Sequence, residues 1–432
     1  MRPDTADAAD ASERSTVAVV GSGVAGLTAA YLLQRRYDVT LFEAADRLGG
    51  HAHTHQLATR AGGALAVDSG FIVHNDRTYP HLRRLFGELG VAVQPTEMSM
   101  SIRCEGCGLE YAGGRGAKGI IAQRRRVADP RFWSLLVQVR RFHAMASKFL
   151  RTAPEDDLTT YGDFLTRHGF GAHFVQHYAV PVVSCVWSAG HQTALQYPAR
   201  YLFAFLDHHG MLAVKGAPQW YTVTGGSRTY VDRLAATLDR VRTATPVRDI
   251  TRKPDAVELR DAGDRVHRAD RVVIATHADQ ALQLLTDPTD AERDVLGAFG
   301  YSTNDTLLHT DARILPRARQ AKASWNYLMT SCTARPEATL VSYWMNRLHG
   351  HAGERDYVVT LNGRDRVDPA SVLAEMSYDH PLYTPESVAA QRRLPELDTD
   401  VTAFAGAYHG WGFHEDGCRS GVQVARRFGV DW

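Results

Sequence analysis

Val17 to Gly26 reads VAVVGSGVAG, and the rest of the chain is organised around this stretch. Four apolar β-formers run into Gly21-Ser22-Gly23-Val24-Ala25-Gly26, a G-x-G-x-x-G turn that opens a helix expected over residues 27–35. The spacing has a mechanical reason. Gly21 permits the tight strand-to-helix turn, Gly23 admits a pyrophosphate close to the backbone, and Gly26 lets the helix pack on the sheet with its N-terminus facing phosphate. A second strand, residues 39–42, ends at Glu43, a carboxylate about 20 residues on and placed to bind a ribose hydroxyl. A lone G-x-G-x-x-G is weak. Strand, turn, helix, strand and terminal acid in register specify a nucleotide site rather than a glycine-rich structural turn.

At 432 residues the chain is long for one domain, so two domains or one interrupted domain is expected. Its 44% hydrophobic and 22% charged content is ordinary for a globular protein that buries a large core. A net charge of +1 gives no electrostatic basis for a nucleic-acid partner. Lysine occurs only at 118, 148, 215, 253 and 322. The five cysteines (104, 107, 185, 332 and 418) are few, odd in number and mostly isolated, which suits a reducing cytoplasm rather than a disulfide framework. Cys104-Glu-Gly-Cys107 is a lone C-x-x-C with no second pair at zinc-ribbon spacing. It reads as a turn with two thiols, a metal or redox role being the lesser alternative, and no metal is assigned. Residues 1–15 are polar and acidic, without a signal-peptide core, and read as a disordered tail. No apolar run approaches the roughly 20 residues of a membrane span. A cytoplasmic location is the expectation.

Beyond Glu43, the run Asp46-Arg47-Leu48-Gly49-Gly50-His51 suits a second phosphate clamp, with charge from Arg47 and close backbone from the glycine pair. His51, His53 and His55 alternate, so a strand would put them on one face. They read as a polar strip beside the cofactor rather than metal ligands, because no carboxylate or cysteine lies at ligand spacing. From Thr78 the pattern turns helical. Asp129-Pro130 and Thr160-x-x-Asp163 are helix starts, and residues 115–212 read as a mainly helical insertion dense in aromatics. Most of those aromatics must be core; spacing does not separate them from a tunnel lining. The α/β pattern returns at Trp220, with a strand over 271–275, followed by candidate strands at 307–309, 327–329, 339–345 and 357–361. A last strand over 401–405 leads through a glycine-rich loop, Gly406 to Gly417, into a helix expected over 420–428. Two strand–loop–helix units at opposite ends of the chain let two helix N-termini face one cofactor. A simple NAD site does not require this; FAD does.

The chain resembles the amine-oxidase-like FAD superfamily through GSGVAG…FEAADRLGGH, VDSGFIV, WYTVTGG, RVVIAT and FAGAYHGWGFHEDGCRSGVQVA. More narrowly it is similar to a bacterial group of NAD/FAD-binding proteins related to fatty-acyl desaturases, through DSGFIVHNDRTYP, SWNY, VSYWMN, LNG, HPLY and GFHEDG. The resemblance implies an α/β fold: a Rossmann-like FAD-binding domain of the GR2 or amine-oxidase type with an interleaved α+β substrate domain. Residues 16–77, 215–285 and 395–432 would form the FAD domain. Residues 78–214 (helical) and 286–394 (β-rich) would form the substrate domain. The cofactor would be non-covalent FAD, held by Gly21, Ser22, Gly23, Ala25, Gly26 and Gly406, with Glu43 on the adenosine ribose, Arg47 on phosphate and the Val247 backbone beside adenine. Gly49, Gly50 and His51 would lie near the flavin, Phe413 would flank it, and the amides of His414 and Glu415 would face its pyrimidine end.

Three departures from the amine-oxidase pattern bear on the reaction. His51 replaces the arginine usual after the glycine pair, Ala407 replaces an acid, and Thr306–Asp311 (TLLHTD) has no lysine where many amine oxidases keep one near flavin N5. With phenylalanine at 413, the pattern favours C–H oxidation of an apolar chain. The expected activity is an FAD-dependent desaturation or dehydrogenation of a fatty acyl or other apolar substrate, by hydride transfer to flavin N5. The alternatives are an amine or amino-acid oxidase and a redox-neutral double-bond isomerase. His74, His309 and His414 are the candidates for proton transfer, since imidazole titrates near neutrality. Cys418 lies past the usual region of covalent flavin attachment. A transient membrane contact to reach lipid fits such a substrate; the oligomeric state is left open.

Overall fold

The computed structural model describes residues 14–59, 62–213, 216–352 and 355–432. The expected tail lies mostly outside the described residues.

The opening strand, Thr16–Val20, sits at the centre of a five-stranded sheet. Its neighbours are Asp38–Phe42 on one side and Arg271–Ile274 on the other, with Arg240–Arg242 and Thr402–Phe404 at the edges, all parallel. A parallel sheet needs both faces covered, and the continuous apolar run Val17–Val20 is buried for that reason. The first helix (Val24–Leu33) and the last (His414–Arg427) cover one face. A three-stranded antiparallel sheet, 247–252, 257–261 and 266–269, covers the other with helices Ala278–Leu284 and Asp290–Leu296. Gly21 and Gly26 make the first turn possible. Gly21 has φ +100°, and a Cβ on Gly26 would lie 1.9 Å from the Gly21 carbonyl oxygen.

A second, seven-stranded sheet runs in the order 372–382, 300–309, 358–361, 341–344, 325–329, 100–104, 110–113. All its pairs are antiparallel except 325–329 with 100–104. The four strands expected between 307 and 361 are present. The 372–382 strand and the 100–113 hairpin are additions to the expected set, and the hairpin sits within a stretch that reads as helical. Helices from Pro130–Thr152 to Ala199–His208 form the insertion, packed around buried Phe142, Phe164, Phe174 and Phe203.

The molecule thus interleaves two units, one built on the five-stranded parallel sheet and one on the seven-stranded sheet with the helical insertion. Packing moves the expected divisions. Leu82, Leu85, Phe86 and Val91 join the core beneath the first helix, and Val295, Leu296, Phe299, Leu394 and Leu397 join the core on the other face of the parallel sheet. Segments 78–91 and 286–299 therefore contribute to the cores on the two faces of the parallel sheet. The last helix also begins earlier than expected, at His414.

Candidate active site

Neither the first helix nor the last has a side-chain N-cap. Gly23 precedes the first and Phe413 the last, and neither side chain can accept a hydrogen bond. Their leading amides are left for an outside acceptor, at the positive ends of the two dipoles. The two helices meet through small residues. A Cβ on Gly417 would lie 2.7 Å from Val24 Cγ1, and one on Gly421 would lie 2.5 Å from the Ala25 carbonyl oxygen. Val24 and Gly417 each stand in a first helical turn, so both positive ends open onto one region. That suits a ligand with acceptor groups at two separated places, and FAD carries a pyrophosphate and, when reduced, negative charge on its ring.

The turn expected to hold the adenosine end is assembled from local contacts. Glu43 accepts from Ser22 N (2.9 Å), Ser22 Oγ (2.5 Å) and Ala45 N (2.9 Å). Arg47 donates one guanidinium N–H to the Gly50 carbonyl (2.8 Å), which holds the glycine pair over the first turn. A Cβ on Gly50 would lie 3.2 Å from Gly23 Cα. Thr245 N donates to Glu43 O and Ala244 N to Ala45 O, so the chain leading to Val247 runs beside the acid. The structure thus gathers Gly21, Ser22, Gly23, Ala25, Gly26, Glu43, Arg47, Gly49 and Gly50, with Val247 two residues beyond the Thr245 contact and packed on the core of the sheet's other face. Gly406 leaves its strand with its amide donating to Ser420 Oγ, 2.9 Å away.

His51 is enclosed among His277, Tyr378 and His380, at ring separations of 6.3, 5.1 and 5.6 Å. Its Nε2 is buried without a partner, and burial followed by the His380 ring holds its pKa well below 6.5. His53, just before the strand Thr54–Ala58, and His55 within it have rings 4.2 Å apart, while His51 turns into the other cluster. Tyr378 Oη ties the strip together through His53 Nδ1 (2.9 Å) and Ser69 Oγ (2.7 Å).

Two of the three candidate bases lie near the last helix. His414 stacks on Phe71 at 3.8 Å and places Nε2 3.2 Å from Tyr230 Oη. Burial lowers its pKa to about 3. His74 stacks on Tyr221, its Nδ1 has no partner, and burial followed by Arg83 lowers it to about 4. Both are neutral at pH 7 and hold a free or weakly engaged nitrogen. His309 is different. It is fully buried in the second sheet, with Nε2 on Thr360 Oγ1 (2.7 Å) and Nδ1 accepting from the Asp311 amide (3.1 Å). Both nitrogens serve the sheet, so His309 is a satisfied structural histidine and not one of the group.

Phe413 faces an aromatic wall from the helical insertion: Phe205 stacked at 4.9 Å, His209 at 6.1 Å and Trp187 at 6.3 Å. The insertion and the helix Pro385–Gln391 together fix the loop before it. Trp187 Nε1 donates to the Trp411 carbonyl (2.8 Å), and Tyr201 Oη and Gln391 Nε2 both donate to the Gly410 carbonyl (2.7 Å each). A cavity of about 140 Å³ opens beside this loop, bordered by Tyr79, His209, Trp411, Phe413 and Asp416. The Glu415 carboxylate is spent on the helix Pro80–Glu88, accepting from His81 N, Leu82 N and His81 Nδ1. Only its backbone is free for a cofactor. Asp416 is buried, which pushes its pKa up to about 6 against the opposing Arg419, 2.8 Å away.

Asp68 plays a part that the sequence pattern alone does not assign. It is fully buried and accepts from Thr54 Oγ1 (2.5 Å), Ser227 N (2.9 Å) and Ser227 Oγ (2.8 Å), joining the VDSG and VTGGS segments. A single acid inside the apolar run LAVDSGFIV is the signal that marks it. Cys418 is also fully buried and accepts from Thr28 Oγ1 at 3.6 Å, so its sulfur faces the first helix.

Fold and site together fit the flavin amine-oxidase type, an FAD-binding unit with an interleaved substrate unit. Residues 24–324 match the family model of flavin-containing amine oxidoreductases, and the chain belongs to that family. The protein is an FAD-dependent oxidoreductase. Among solved structures it is similar to a CLA-producing fatty acid isomerase from P. acnes, with 17% identity, a TM-score of 0.69, and 96% of this chain and 99% of that one covered. It is likewise similar to cyclohexylamine oxidase from Brevibacterium oxydans IH-35A (17%, 0.67, 96% and 98%) and to putrescine oxidase bound to putrescine (15%, 0.67, 95% and 98%). Likeness at these identities is likeness of fold. No helix among the described residues is long and apolar enough to cross a membrane.

Proposed function

We propose that this protein dehydrogenates an apolar, lipid-like substrate, removing a hydride and a proton from neighbouring carbons. The observation that carries the reading is the wall at Phe413. Phe205, Trp187 and Trp411 surround it with apolar surface, and no lysine approaches among the described residues. Lys118, Lys148 and Lys253 are exposed, and Lys322 lies over Trp344. FAD supplies the acceptor for the hydride when bound. The remaining work falls to the chain. The uncapped ends of the first and last helices hold the cofactor's anionic groups, and the aromatic wall excludes water and orients an alkyl segment. His74 or His414, neutral at pH 7, takes the proton. Non-covalent attachment and the roles assigned to Glu43, Arg47, Val247, Gly406 and the His414 and Glu415 amides are part of this proposal. The fatty acid isomerase of like fold supports an acyl substrate, and the amine oxidases of like fold support a second reading, oxidation of an amine.

Product mass separates the readings. Incubation of the holoenzyme with acyl lipids should give a product lighter by one hydrogen molecule. Unchanged mass with a shifted double bond would instead identify an isomerase, and turnover of amines alone would identify an oxidase.

A further inference from the structure

Cys104, Cys107, His177 and Cys332 come from three distant parts of the chain, yet their ligand atoms lie within 4.8 Å of one another. Cys104 closes a strand of the seven-stranded sheet, Cys107 follows in the turn, and Cys332 lies in the loop after strand Trp325–Met329. His177 stands on a π-helical turn, Val175–Ala179, inside the helical insertion. Such turns cost regular hydrogen bonding and are kept mostly where they aim a side chain.

We infer that these four residues form a structural zinc site with three thiolate ligands and one imidazole. A tetrahedron with zinc–sulfur bonds of about 2.3 Å has edges of about 3.8 Å. Cys104 Sγ and Cys332 Sγ are 3.7 Å apart, and Cys107 Sγ and His177 Nε2 are 3.6 Å apart. A disulfide needs sulfurs at about 2.05 Å, so 3.7 Å is a ligand spacing and not a bond.

The surroundings are those of a site rather than of three stray thiols. His177 Nδ1 lies 3.0 Å from the His173 carbonyl. Donation there puts the proton on Nδ1 and leaves the Nε2 lone pair facing the sulfurs. Gly108, directly after the second cysteine, has φ +66°, and a Cβ on Gly106 would lie 2.9 Å from Cys332 N. The turn is therefore folded tightly onto the third ligand's loop. Tyr111 Oη donates to the His177 carbonyl (2.6 Å) and fixes the helical side. Three thiolates and a dication leave one net negative charge, and Arg125 and Arg126 border the opening that Cys107 shares with solvent. That opening is an entry path for the ion. The site pins the helical insertion, which carries Trp187 and Phe205, to the sheet. It is independent of the choice of substrate.

Full-length holoprotein, purified without chelators or metal resin, should contain one zinc per chain by elemental analysis. Removing the zinc and titrating with Co²⁺ alone should produce thiolate-to-cobalt charge transfer and the visible bands of a tetrahedral ion. Cys332→Ser and His177→Ala should each weaken Zn²⁺ binding by about 100-fold or more, beyond the loss that an outer-shell partner brings. His177→Cys should retain zinc on four thiolates, which separates ligand loss from misfolding. Absence of zinc in the purified protein and of uptake on titration, with Cys104, Cys107 and Cys332 all alkylated in the folded state, overturns the assignment. A disulfide among the three does so equally.

Discussion

Val24 and Gly417 touch across the two helices that frame the cofactor site, at a distance that leaves no room for a side chain at 417: a Cβ there would lie 2.7 Å from Val24 Cγ1. Four residues on, Gly421 meets the Ala25 backbone in the same way, with its Cβ position 2.5 Å from the carbonyl oxygen. The contact aligns the two uncapped N-termini. Gly421→Val must push backbone apart, since a carbonyl cannot move aside as a flexible side chain can. A loss of about 3 kcal/mol is expected, at the upper end of ordinary overpacking. Thermal melts together with flavin content check this, and both should fall.

Glu43 holds the first turn through its contacts to Ser22 and Ala45, and the proposed function places it on the adenosine ribose. Glu43→Ala removes a charged acceptor, and a hydrogen bond to a charged group contributes about 1.5–3 kcal/mol. FAD affinity should drop by about 10–100-fold. Titration of FAD into the apoprotein reads this directly, and unchanged affinity would remove Glu43 from the site.

Cys418 is fully buried with its sulfur against Thr28 of the first helix, and the proposed non-covalent attachment leaves it no part in holding the flavin. Acid precipitation should release all of the flavin into the supernatant, and Cys418→Ser should bind FAD as the wild type does. Flavin retained in the pellet would contradict that placement.

Six buried imidazoles share one direction of shift. Burial lowers His74, His209, His309 and His380 to about 4, and His409 and His414 to about 3. Each folded pKa lies below the free value of 6.5, so the stability it contributes is complete above pH 6.5 and is lost as pH falls toward 4. Asp398 and Asp416, raised to about 6 by burial, have the opposite sign. Their stability is present at low pH and is lost as pH rises through 6. Six rings outweigh two carboxyls. At about 1.4 kcal/mol per proton and pH unit, stability should fall by several kcal/mol per unit below pH 6.5. A Tm that stays level between pH 7.5 and 5 would contradict the burial of these rings.

The nucleotide half of the molecule is legible in the sequence because its chemistry is local. Gly21 to Gly26, Glu43 and Arg47-x-Gly49-Gly50 carry their geometry in their spacing, and the last loop repeats the pattern. What stays hidden depends on long-range packing. In sequence His309 looks like His74 and His414; only the folded sheet puts Thr360 and Asp311 on its two nitrogens. Cys104 and Cys107 look like a lone pair because Cys332 reaches them through a strand pairing, and His177 through a turn of the insertion. Asp68 shows its role only when Ser227, 159 positions away, donates to it. In the insertion, Phe174, Phe203, Phe205 and Trp187 are all buried in one core, and only the fold shows that Phe205 and Trp187 also face Phe413.

The most direct test is anaerobic photometry of the purified yellow protein against paired panels of acyl lipids and amines. The flavin band should bleach with an acyl lipid and stay unchanged with polyamines and amino acids. Bleaching by amines, with every acyl lipid inert, would contradict the account.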